Sequence, residues 1–86
     1  MKFTTFEIFK PEIQETIFHF ICMVPSYMDE QDMWYLAQTV LYNMTEDIRA
    51  EYGNIDVLMD LIAAYVQDGK KARIGCMTVE TDIWEV

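Results

Sequence analysis

The sequence predicts an α+β fold, in which a short N-terminal strand, three helices and a C-terminal strand or hairpin build one small antiparallel sheet covered by helices. Two observations predict it. The chain ends are rich in Phe, Thr, Ile and Val with loose alternation, whereas the long central part repeats its apolar residues at helical spacing between capping residues. With 86 residues, we expect residues 1–86 to form a single domain.

The first predicted elements are a strand and a helix. Residues 3–9, FTTFEIF, have strand composition and stop at Lys10 and Pro11. Pro11 suits the first position of a helix, where its missing N–H costs nothing. A helix from Pro11 to just before Pro25 would gather five apolar side chains on one side: Ile13, Ile17, Phe20, Ile21 and Val24.

The central part predicts two longer helices. Ser26, with Asp29 three residues later, resembles a capping box for the second helix, and Thr45 can cap its continuation to Tyr52 before Gly53. Asn54 and Gly69 bound the third helix. The tail, residues 72–86, predicts a bent strand or a hairpin that turns at residues 80–82, able to pair with residues 3–9.

Charge is concentrated in the predicted helices. Residues 29–68 contain nine acidic residues and one base, Arg49, and account for −8 of the total net charge of −9. A field of this sign repels nucleic acid and anionic membranes and attracts basic partners. Asp56 and Asp60 repel each other at i,i+4 spacing without a base to compensate them. We therefore expect a basic protein partner, with no direct nucleic-acid or membrane binding.

Several classes of enzyme are disfavoured. Glycine occurs only at 53, 69 and 75, so no glycine-rich phosphate loop is present, and Ser26, the single serine, lies outside any nucleophile-elbow pattern. We expect no cofactor and no enzymatic activity. One alternative is a zinc- or cysteine-dependent enzyme, since Glu15, His19 and Cys22 would share the polar side of the first predicted helix.

The N-terminal stretch MKFTTFEIF lacks an apolar run of signal-peptide length. The longest stretches free of Asp, Glu, Lys and Arg are 13 residues each, at residues 16–28 and 33–45, and are too short to cross a bilayer. Cys22 and Cys76 lie too far apart for a CxxC motif. We expect a cytoplasmic protein with reduced cysteines.

Tyr35 and Tyr42 lie opposite the apolar stripe of the second helix. A small domain can spare few large side chains, which favours a place in the core. If the helix packs on one side only, these tyrosines form an exposed aromatic strip with Gln38, suited to a protein interface or a homodimer.

In size, charge and compactness, the chain resembles the small acidic single-domain inhibitors carried by bacteriophages and other mobile elements, which include DNA mimics that block restriction, CRISPR or transcription proteins. The resemblance implies an inhibitor that binds a nucleic-acid-binding protein, in the host cytoplasm if the protein is phage-encoded. The alternative is a structural or regulatory homo-oligomer held by the Met- and Tyr-rich helices. The predicted partner-binding residues are Asp29, Glu30, Asp32, Tyr35, Tyr42, Glu46, Asp47, Glu51, Asp56 and Asp60.

Overall fold

The computed structural model describes residues 2–83. In chain order the elements are β1 (Lys2–Lys10), β2 (Glu15–Met23), α1 (Glu30–Asn43), α2 (Glu46–Tyr52), α3 (Ile55–Asp68), β3 (Lys71–Ile74) and β4 (Met77–Ile83). The strands form one antiparallel sheet in the order β2-β1-β4-β3. The predicted α+β class, the N-terminal strand and its pairing with the C-terminal part of the chain are confirmed.

The predicted first helix, from Pro11 to Pro25, is wrong. These residues form a four-residue turn and strand β2, so that β1 and β2 make a hairpin. Pro11 opens the turn, in which Ile13 N–H donates to Lys10 O and Gln14 has a positive φ of 55°. The helical spacing of the apolar residues was misleading because β-branched and aromatic side chains dominate the segment and favour a strand.

The helical segment after residue 28 agrees with the prediction at most of its boundaries. The Thr45 side chain accepts a hydrogen bond from Ile48 N–H, and the helical path divides there into α1 and α2. Asn54 caps α3, and Gly69 ends it in the left-handed conformation, at a φ of 82°. Gly53 follows α2 with an ordinary φ of −81°, but a Cβ there would clash with the backbone carbonyl oxygen of Arg49, so close packing requires this glycine.

The residue that caps α1 differs from the prediction. Asp29, not Ser26, is the N-cap: its carboxylate accepts from Asp32 N–H at 2.8 Å, and Asp32 Oδ2 accepts from Asp29 N–H at 3.2 Å. Asp is as good an N-cap as Ser, and it stands directly before the first helical residue. Asp32 thus takes the position at which a capping box usually has Glu or Gln.

Replacing the two candidate caps separately tests this assignment. Asp29→Ala should lower the free energy of unfolding by about 1 kcal/mol, because it removes the side-chain acceptor at the start of α1. Ser26→Ala should change it by less than about 0.5 kcal/mol, since Ser26 is exposed and lies outside the cap. Chemical denaturation measures both, and an equal loss in the two variants would contradict the assignment.

The C-terminal part of the chain is a hairpin, which was one of the two predicted forms, but the prediction placed its turn at the wrong residues. The chain reverses at Gly75 and Cys76, and residues 80–82, predicted as the turn, lie inside β4. Gly75 adopts a φ of 59°, a conformation that glycine reaches without steric cost.

The helices cover one side of the sheet, called here the inner face. Alternate residues of β1 and β4, including Phe6, Ile8 and Val79, point to this face and are buried against α1 and α3. Leu58 and Ile62 of α3 are completely buried there. No described helix packs on the opposite side of the sheet, the outer face, since the buried apolar side chains of α1 and α3, and the half-buried Ile48 and Tyr52 of α2, belong to the inner core. None of the described helices is long and apolar enough to cross a lipid bilayer.

Candidate protein-interaction surface

The acidic residues of segment 29–68, called here the acidic helical layer, lie mainly where helices begin. Eight of the nine are exposed, and Asp32 is half-buried. Six belong to the N-caps and first turns of helices, where the helix dipole stabilises negative charge: Asp29, Glu30, Asp32, Glu46, Asp47 and Asp56. This local role accounts for their positions along the chain and leaves their charge facing solvent.

Three acids of the layer lie outside the helix starts. The Asp68 carboxylate accepts from Lys71 N–H at 3.3 Å, and Glu51 lies 3.9 Å from Lys10 Nζ. Asp60 is exposed on α3, one turn after Asp56. Among the residues that the structure describes, the Lys10–Glu51 contact is the single ion pair that involves an acid of this layer.

Arg49, the one base of the layer, is directed to backbone carbonyls. Its Nε donates to Leu41 O at 3.1 Å, and its Nη2 donates to Met44 O at 3.0 Å and to Tyr42 O at 3.4 Å. These carbonyls close the C-terminal end of α1, where a helix leaves acceptors unsatisfied and where positive charge is favourable. The guanidinium donors are therefore used within the fold, and the neighbouring carboxylates form no ion pair with Arg49.

The aromatic side chains of α1 are exposed, so the preference for a core position of Tyr35 and Tyr42 is wrong. Trp34, Tyr35 and Tyr42, called here the aromatic strip, are 45%, 56% and 76% exposed. Their position follows from packing on one side only: α1 contributes Leu36, Ala37 and Val40 to the core, and the three rings lie outside this contact.

The aromatic strip and the acidic layer meet in an open groove of about 680 Å³ between α1 and α3. The groove is lined by Asp29, Glu30, Gln31, Trp34, Tyr35 and Met59. The Trp34 and Tyr35 rings meet edge to face, with centroids 5.4 Å apart. Aromatic faces next to carboxylates are a favourable environment for a guanidinium or ammonium group. The groove therefore has the chemistry of a site for a basic side chain.

The groove contains three of the ten predicted partner-binding residues, namely Asp29, Glu30 and Tyr35. The others lie elsewhere on the helices: Asp32 in the cap, Tyr42 near the end of α1, Glu46, Asp47 and Glu51 on α2, and Asp56 and Asp60 on α3. The other three groove residues, Gln31, Trp34 and Met59, were not among the predicted partner-binding residues. The signal that could have found Trp34 is its place directly before Tyr35 in the sequence, since an amphipathic ring at the edge of an apolar stripe can face solvent.

The arrangement proposed for a zinc or cysteine site is absent because its helix is a strand. The His19 side chain is on the outer face, with Nε2 3.4 Å from Glu7 Oε1, whereas Cys22 points to the inner face and packs against the core. Burial also raises the pKa of the Cys22 thiol, which disfavours the nucleophilic thiolate. Within residues 2–83, no three His, Cys, Asp or Glu side chains cluster closely enough to hold a metal ion.

The Tyr52 hydroxyl contacts the Cys76 thiol, and both groups can in principle take part in acid–base or nucleophilic chemistry. Desolvation, and then the Cys76 thiol that it contacts, raise the pKa of Tyr52 to about 12, with smaller contributions from Glu51 and Glu12. A catalytic tyrosine needs its pKa moved toward neutrality, so this shift has the wrong direction for a general base. The contact is a packing feature between α2 and the β3–β4 turn.

No family model, curated protein or solved structure matches this chain significantly.

Proposed function

We propose that this protein is a non-enzymatic inhibitor that uses its acidic helical layer to cover a basic surface on a nucleic-acid-binding protein. One observation carries the proposal. Eight of the nine acids of the layer are exposed, while its single base donates to the carbonyls at the end of α1. A phage-type role against restriction, CRISPR or transcription proteins, including DNA mimicry, is the form of inhibition that this chemistry fits best.

A basic partner follows from the electrostatics. Surface carboxylates that lack ion-pair partners repel each other, and the arrival of Lys or Arg side chains relieves this repulsion. A surface that binds nucleic acid presents such side chains to phosphates. Carboxylates at the starts of three helices, together with Asp60, would occupy positions that phosphates take in the natural complex.

The groove adds specificity to this attraction. An arginine of the partner would stack on Trp34 or Tyr35 and pair with the Glu30 carboxylate at the groove wall. Tyr, Trp and Arg are the residues that most often dominate binding energy at protein interfaces. The groove thus supplies anchoring contacts, whereas the acids outside it mainly attract and orient the partner.

The alternative, a homo-oligomer held by the Met- and Tyr-rich helices, is supported by the exposure of Tyr35 and Tyr42. Two copies that met along these helices would bring together two segments with a net charge of −8 each. The repulsion between them disfavours this assembly relative to a basic partner.

A pull-down from nuclease-treated bacterial lysate tests the proposal. Immobilised wild-type protein should retain a basic nucleic-acid-binding protein at low salt and release it at high salt, because the attraction is electrostatic. Asp56→Asn with Asp60→Asn should retain less of it. Added DNA should displace the retained protein, since both compete for one basic surface. Retention that salt and DNA leave unchanged would contradict the proposal.

A further inference from the structure

Strand β2 is a long sheet edge whose stretch between the bulge near Ile17 and Pro25 has none of the features that usually prevent strand addition. The sheet ends at β2 on one side and at β3 on the other. β3 has four residues and presents Lys71 and Arg73, which is a common protection of an edge. β2 has nine residues, with no Lys, Arg or Pro, and no other described segment bonds to its free side through the backbone.

The hydrogen-bond pattern identifies the free groups of β2. Val24 N–H donates to Lys2 O at 3.1 Å, so the backbone hydrogen-bonding groups of Val24 point toward β1. In an antiparallel ladder the bonded pairs alternate, so Phe20 and Cys22 also bond to β1. The N–H and C=O groups of His19, Ile21 and Met23 therefore point to the free edge. The bulge opposite Ile8 and Phe9 breaks the alternation near Ile17, and Pro25, beyond the strand, has no N–H to donate.

We propose that this edge pairs with β2 of a second copy, in an antiparallel register centred on Ile21. Ile21 would face Ile21 of the second copy, and His19 of each copy would face Met23 of the other. These pairs exchange about six backbone hydrogen bonds. The register uses every free group between the bulge and Pro25, which is why the strand is complementary to itself.

Charge and exposed apolar area favour a second copy as the occupant. Glu15 is the one acid of β2, and it lies outside the paired residues, whereas the helical layer carries −8. The paired residues themselves therefore place no like charges opposite each other, and the nearest acid of the helical layer is Asp32, which lies close to Cys22 and Met23. Ile21 and Met23, which are 39% and 62% exposed on the outer face, would contact their counterparts across the new pair.

The dimer would place both acidic layers on one side of a continuous sheet with twice the four strands of one copy. Directly opposite residues of an antiparallel pair share a face, so the inner faces of the two copies adjoin. A dimer that presents two layers in one direction can bind an extended basic surface, or two sites, with increased avidity. The pairing itself does not depend on the proposed inhibition.

The test is the mass of the purified chain as a function of concentration, by sedimentation equilibrium. The mass should rise from 10.2 kDa toward twice that value. Ile21→Lys should weaken dimerisation at least tenfold, because two like charges would then face each other at the centre of the register. Ile13→Lys makes the same chemical change at an exposed position of the turn and should leave the dimer intact.

Amide hydrogen exchange provides a readout that does not depend on any variant. Protection of the His19, Ile21 and Met23 amides should increase with concentration, because pairing takes these donors out of water. A mass of one chain at every concentration would overturn the proposal. So would a dimer that Tyr35→Ala with Tyr42→Ala disperses while the three amides stay unprotected, which would place the interface on the helices.

Discussion

Tyr65→Phe is expected to lower the free energy of unfolding by about 1–3 kcal/mol, the cost of leaving buried polar groups without partners. The Tyr65 side chain is buried beneath α3, and its hydroxyl is 2.9 Å from Thr4 Oγ1 on β1. It also hydrogen-bonds Thr81 Oγ1 on β4. Phenylalanine would keep the ring packing but leave both threonine hydroxyls without this partner inside the domain.

Urea denaturation with a matched substitution measures this effect. Tyr42→Phe removes the same hydroxyl from an exposed tyrosine and should change stability by less than about 0.5 kcal/mol. Thr4→Val in the Tyr65→Phe background should recover part of the loss, since it removes one unsatisfied hydroxyl. Equal stability of wild type and Tyr65→Phe would show that the hydroxyl does not link α3 to the two central strands.

Trp34→Ala with Tyr35→Ala is expected to weaken binding of the basic partner about tenfold to a hundredfold, as expected for aromatic anchors of an interface. Both rings are exposed and border the groove, so their removal should leave the fold intact. The measurement is the Kd for the protein retained in the pull-down, by calorimetry. Tyr27→Ala, which removes an exposed ring outside the groove, is the control and should bind like wild type. Unchanged binding by the Trp34 and Tyr35 double variant would remove the groove from the interface.

The sequence predicted the elements whose boundaries have local causes. The N-cap residues Thr45 and Asn54 and the glycine at 69 act within one turn of the chain, and the structure confirms each. Pairing of β1 with the C-terminal part was also predictable, because both segments have strand composition. These features depend on the chemistry of neighbouring residues alone.

The errors arose where distant residues decide the structure. Ile17, Phe20 and Ile21 satisfy the spacing of a helix, but β1 provides a neighbouring strand that pairs with this segment and places Phe18 and Phe20 on the inner face. The two tyrosines of α1 are exposed because α1 packs on one side only, through Leu36, Ala37 and Val40. The periodicity of a single sequence indicates neither the neighbouring strand nor the side on which a helix packs.

The groove could be predicted only in part, for the same reason. Its acids were recognisable from charge, whereas Met59 reaches it from another helix through tertiary packing. The free edge of β2 was not predictable at all once the segment had been assigned as a helix.

We propose that the acidic helical layer binds the basic partner, and that net charge alone does not account for this binding. Two variants of equal charge test it most directly through their Kd values for the retained partner at low salt. Asp56→Asn with Asp60→Asn removes two exposed acids from α3, and Glu12→Gln with Glu15→Gln removes two from the β1–β2 hairpin. We expect weaker binding by the first variant and wild-type binding by the second. An equal loss in both would show that overall charge attracts the partner, and would contradict a specific helical surface.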